Sequence, residues 1–88
     1  MTKLLQNINF GETLKYYRNL KGYSQIDVAS KMQLFGSDIS SGTYSKIERG
    51  ERNIYFDDFI ILKLVLEFEY NDFFKEYENN ILSKYKEI

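Results

Sequence analysis

The side chains best able to do chemistry gather between residues 40 and 53. Ser40, Ser41, Thr43 and Ser45 bring hydroxyls, Lys46, Arg49 and Arg52 bring cationic donors, and Asn53 brings an amide. Such groups pair with phosphate oxygens and with the edges of bases. They are poorly suited to covalent catalysis here, because the sequence contains no histidine and no cysteine. Imidazole bases, thiol nucleophiles and the usual zinc ligand sets are therefore excluded. Asp57 and Asp58 invite an acid/base reading, but neighbouring residues on a helix point apart, and carboxylates in a first turn complement the helix dipole. No glycine-rich phosphate loop occurs. The expectation is a binding protein, not an enzyme, with no metal and no cofactor.

These residues need elements to position them. Glycines at 22, 36 and 50 break the first half of the chain into three segments with helical apolar spacing. Phe10, Leu14 and Tyr17 fall at i, i+4 and i+7, and Asn9 with Glu12 resembles a capping box, so a first helix is predicted over 10–21. Ser24 with Asp27 repeats that signature and opens a second helix at Gln25, with Val28, Ala29, Met32 and Phe35 on its apolar face and Gly36 closing it. Ser40 caps a third helix over 41–49, with Tyr44 and Ile47 inward and Gly50 as its stop. A fourth is predicted over 56–66. Asn71 and Asp72 begin a fifth, through Phe73, Phe74, Tyr77, Ile81, Leu82 and Tyr85. Residues 55–68 have high strand propensity but alternate poorly and contain no turn signal. The fold class predicted is all-α with five helices, in a single domain spanning 1–88.

Composition agrees with this. A chain of 88 residues without cysteine must build its core from apolar side chains alone. It has 43% hydrophobic residues, including eight tyrosines and seven phenylalanines that each bury a large area. The apolar run at 59–62 ends at Lys63, too short to span a bilayer, and the first ten residues lack the apolar stretch of a signal peptide. A soluble, cytoplasmic protein is expected. The net charge of −1 conceals an asymmetry. Residues 1–50 hold seven basic and four acidic side chains, a balance of +3, whereas residues 51–88 hold five and nine, a balance of −4. A basic front and acidic back can face DNA from one side, although ordinary scatter over solvated faces gives the same totals.

Two helices joined by a turn, the second short and polar at its start, form the DNA-reading arrangement. The stretch Phe10-Gly11-Glu12, Arg18, Lys21-Gly22-Tyr23-Ser24-Gln25, Val28-Ala29, Met32 and Ile39-Ser40-Ser41-Gly42-Thr43-Tyr44-Ser45-Lys46-Ile47-Glu48-Arg49-Gly50 resembles the Cro/repressor (xenobiotic-response-element) helix-turn-helix family. The similarity covers roughly 10–74 and leaves 75–88 as a C-terminal helical extension. It implies a lambda-repressor-like five-helix DNA-binding domain acting in transcription regulation, as a repressor. By the same resemblance, Gln25 anchors a phosphate, and Ser41, Gly42, Ser45 and Lys46 face the groove, Lys46 donating to guanine O6 or N7. Ser40 and Thr43 belong to the same contact set, and Arg49, Arg52 and Asn53 meet the sugar-phosphate backbone. Arg18 and Glu48 match positions that form a largely buried ion pair in relatives. The plain alternatives are a first-turn helix former at Gln25 and a solvated lysine at Lys46. Two departures stand out. The connection between the second and third helices is longer than the family pattern, implying an extra helical turn followed by a looser link, and Glu67 stands where the family has a glycine.

The implied partner is double-stranded DNA with a palindromic operator, bound by a homodimer. Phe74, Tyr77, Ile81, Tyr85 and Ile88 form an apolar stripe on the last helix that could join two copies, or could instead pack back over the first helix. Asn79 and Asn80, poor residues for a helix interior, weigh against an unbroken stripe. The competing function is a protein–protein interaction module or antitoxin on the same fold, favoured by the acidic, aromatic-rich second half. A positive face built from Lys31, Lys46, Arg49 and Arg52 separates the two readings. RNA binding is a weaker third, because it requires exposed aromatics and these sit at core spacing.

Overall fold

Helix ends in this chain are set by short-range hydrogen bonds that the sequence supplies in pairs. Ser24 accepts from the Asp27 amide at 3.0 Å while the Asp27 carboxylate accepts from the Ser24 amide at 2.9 Å, a reciprocal cap that starts a helix at Gln25. At the other end of this helix, the Gly36 amide reaches Gln33 O and the Ser37 amide reaches Met32 O, at 3.0 and 3.2 Å. This 6→1, 5→2 closure needs a left-handed residue between the two donors, and Gly36 provides it at φ +95°. The same closure recurs at Gly22 and Gly50. Glu67 takes the left-handed conformation without being glycine, at φ 58°.

The computed structural model describes residues 3–4 and 8–85. It is an all-α fold of five helices: α1 Ile8–Lys21, α2 Gln25–Leu34, α3 Ser41–Glu48, α4 Phe56–Leu66 and α5 Tyr70–Tyr85. Two short strands, β1 Lys3–Leu4 and β2 Ile54–Tyr55, pair antiparallel with Leu4 opposite Ile54. The α1 start differs from the sequence expectation. Asn9 lies inside the helix and is buried, the Thr13 hydroxyl donates to its carbonyl at 2.8 Å, and Glu12 accepts from Lys84 at 2.9 Å, so Asn9 and Glu12 form no capping box.

Phe10, Phe59 and Phe73 form the aromatic centre, with ring centroids 5.1 to 5.5 Å apart in tilted and edge-on contacts. Leu14, Val28, Met32, Tyr44, Leu62 and Leu66 complete a core shared by all five helices. Phe35, expected on the apolar face of α2, is 54% exposed because the helix ends before it.

α5 does not stop at its asparagines. Asn80 donates to the Thr13 hydroxyl at 2.8 Å, and the Tyr77 ring stands edge-on to Phe10 at 5.6 Å. The apolar stripe is therefore turned partly onto α1. Tyr77 and Ile81 are half-buried, Phe74 remains exposed although its ring lies 5.9 Å from Phe59, and Ile88 and the Tyr85 side chain lie outside what the structure describes.

Candidate nucleic-acid interface

The arrangement of α1, α2 and α3 turns on one carboxylate. Arg18 of α1 donates to Glu48 of α3 through Nε at 2.6 Å and Nη2 at 3.1 Å, and its Nη1 donates to the Tyr23 carbonyl at 2.9 Å. Gln25, at the first turn of α2, donates to the same carboxylate at 3.0 Å. The side chains of Arg18 and Glu48 are only 12% and 3% exposed. Burial pushes the Glu48 carboxyl up, yet it is held below the usual carboxylate range because Arg18 and Gln25 donate to it and the buried Tyr44 hydroxyl lies beside it. Gly11 brings α1 against the end of α3. A Cβ there would stand 2.2 Å from the Glu48 carbonyl oxygen and 2.6 Å from that of Ile47.

With its inner face fixed by Tyr44, Ile47 and Glu48, α3 presents the opposite face outward. Gly42 and Lys46 are exposed, and Ser41, Thr43 and Ser45 are half-buried. Lys46 and Arg52 make no hydrogen bond or ion pair among the described residues, and Asn53 beside them is exposed. Ser40 is occupied by the helix itself. Its hydroxyl accepts from the Thr43 amide at 3.1 Å and donates to the Thr43 hydroxyl at 3.0 Å.

Two residues sit differently from what the resemblance implies. The Gln25 amide points inward to Glu48, leaving its remaining N–H and the helix terminus for any phosphate. Arg49 is held by Glu51, Nε to Oε2 at 3.0 Å and Nη2 to Oε1 at 3.3 Å, while its Nη1 donates to the Ser45 hydroxyl at 2.7 Å. That pairing keeps the Glu51 carboxyl below its ordinary range. Lys31 lies over the Tyr23 ring at 5.0 Å. Of the four cations expected to form the positive face, Lys46 and Arg52 thus make no ion pair among the described residues, and Arg49 is paired with Glu51.

The long connection between α2 and α3 is not loose. Ser37 is buried, donates to Asp58 Oδ1 of α4 at 2.9 Å and accepts from the Ile39 amide at 3.1 Å. Gln33 donates to the Ile39 carbonyl at 2.8 Å, and the Ile39 side chain enters the core. These three hydrogen bonds tie the connection within itself, to α2 and to α4. Asp58, Glu51 and Gly11 were given no such role from sequence. Gly11 lies within the family-like stretch, but its partner is backbone distant in sequence, and Asp58 bears the local signal of a first-turn acid.

No helix among the described residues is long and apolar enough to cross a membrane. A family model described as helix-turn-helix matches residues 14–64, more than half of the chain and the whole of α2, α3 and the connection between them. A search of curated proteins finds no match.

Proposed function

The chain belongs to the helix-turn-helix family of DNA-binding regulators, and we propose that it is a cytoplasmic transcriptional repressor that reads the major groove with α3. The observation that carries this reading is the outward face of α3. It joins a side-chain-free position at Gly42, three hydroxyls and the exposed Lys46, on a helix whose other face is locked by a buried ion pair. Lys46 then donates to a base edge, Gly42 admits close approach, and Ser41 and Ser45 pair with a base or a phosphate. Arg52, Asn53, Thr43 and the first turns of α2 and α3, headed by Gln25 and Ser40, hold the sugar-phosphate backbone. Arg49 joins them once a phosphate replaces Glu51 as its partner.

One short helix with so few base-reading side chains gives limited discrimination, which supports a homodimer on a palindromic operator. With Tyr77 committed to α1, the large apolar side chains exposed on α5 among the described residues, and so open to a second copy, are Phe74 and Leu82, at 48% and 56%. Selection of bound duplexes from a random oligonucleotide library tests the proposal. A palindromic consensus is the expected outcome, and failure to retain any duplex at low salt overturns it. A second reading, an interaction module or antitoxin on the same fold, draws support from the Glu51–Arg49 pair and from Leu34 and Phe35, which stand in solvent at the end of α2.

A further inference from the structure

Phe35, 54% exposed, lines a groove, and Leu34 before it in the chain is 86% exposed. The groove runs between the α2–α3 connection, α3, the segment 52–55 and the start of α4, with a volume of about 650 Å³. Ile39, Ile47 and Ile61 lie along its floor, and Asp38, Asp57 and Asp58 line it against a single cation, Arg52. A trough of this size, open to solvent, takes several side chains of a passing segment rather than enclosing a small molecule.

We propose that this groove docks a basic, amphipathic segment of a partner protein, and that its occupation excludes DNA. Three points fix the chemistry of the occupant. Carboxylates covered by a partner must be paired, so the segment has to bring lysines or arginines. The apolar floor and the exposed Phe35 call for aliphatic or aromatic side chains beside those cations. A nucleic acid is unsuited to the same place, because three carboxylates repel its phosphates. The groove nevertheless borders the recognition helix, since Ser40, Thr43, Arg52 and Asn53 line it as well. A segment seated there covers part of the DNA-contact set. The exclusion rests on the DNA-binding reading, whereas the docking does not.

The test is a display library of random dodecapeptides panned on the full chain without DNA. Enriched peptides are expected to carry at least two lysines or arginines around an aliphatic or aromatic anchor. Fluorescence anisotropy should then show binding weakened about tenfold or more, the cost of one lost strong contact, by Asp38→Lys with Asp57→Lys and separately by Phe35→Ser. Circular dichroism melts establish that these variants remain folded. Enrichment of peptides without basic residues, or equal binding to the variants, overturns the docking. So does self-association of the chain that the same substitutions abolish, which would make a second copy the occupant. In the second arm an enriched peptide is expected to displace the selected duplex, and a ternary complex overturns the exclusion. If no duplex binds, the DNA-binding reading and the exclusion fall together, while the first arm still decides the docking.

Discussion

Gly11→Ala sets two effects against each other, and their sizes decide the sign. Replacing a glycine by alanine inside a helix ordinarily stabilises it by about 1 kcal/mol. Here the new Cβ would lie 2.2 Å from the Glu48 carbonyl oxygen and 2.6 Å from that of Ile47. Both neighbours are backbone, and α3 is pinned to α1 at this point by the Arg18–Glu48 pair, so neither can turn aside as a flexible side chain would. Overpacking of this kind costs roughly 1–3 kcal/mol or more, and rigid neighbours place it at the upper end. The net expectation is a loss of about 2 kcal/mol, which in a domain of this size lowers the melting temperature by roughly 10 °C. Gly42→Ala is the internal control, since its Cβ would meet only the Ser40 hydroxyl at 3.9 Å. It should leave stability unchanged or raise it by a few tenths of a kcal/mol. Thermal unfolding followed by circular dichroism reads both. If Gly11→Ala melts at or above the parent, the close approach of α1 to the end of α3 is not as described.

Arg18→Ala leaves the Glu48 carboxylate buried without its main partner and should cost about 3–5 kcal/mol, read by chemical denaturation. The Glu48 carboxyl is held below its unfolded value, so its contribution is complete above about pH 4.3 and disappears as pH falls through the lower folded value. Stability should therefore decline on the acid side in the parent, and a flat profile from pH 6 to pH 3 would count against the network. Glu67→Gly removes the Cβ from a left-handed position at the cost of an exposed ion pair with Lys21. Because exposed pairs contribute little, the melting temperature should rise, and a fall would show the pair to be the larger effect. Glu51→Gln releases Arg49 for a phosphate, so DNA affinity should increase and the salt dependence steepen by about one unit. Unchanged binding would place Arg49 outside the interface.

What could be read from the chain was what short-range chemistry dictates. The Ser24–Asp27 reciprocal cap placed the start of α2, and the apolar run with Asp57 and Asp58 placed α4 over residues 56–66. Two of the misplaced pieces depend on distant partners. Asn80 looked like a helix breaker, yet it is held by Thr13, 67 residues earlier, and α5 continues past it. The α2–α3 connection looked loose because Ser37 is tied to Asp58, 21 residues on, which no local pattern announces. Two strands of two residues each are too short for any periodicity. Within the candidate interface, helical spacing put Tyr44 and Ile47 inward, and Gly42 and Lys46, which the resemblance implies face outward, are exposed. Spacing could not reveal that Arg49 spends its guanidinium on Glu51, or that the Gln25 amide turns toward Glu48, because side-chain pairing follows from the folded geometry alone.

The central claim is that α3 reads base sequence through Lys46 while Arg52 holds the backbone. Binding isotherms of the parent, Lys46→Ala and Arg52→Ala on the selected duplex and on a scrambled one, each over a range of salt, test it most directly. The account predicts that Lys46→Ala loses about 1–3 kcal/mol on the selected duplex and little of its remaining affinity for the scrambled one. Arg52→Ala should weaken both alike and reduce the salt slope by about one unit. Equal losses on the two duplexes for Lys46→Ala would contradict it.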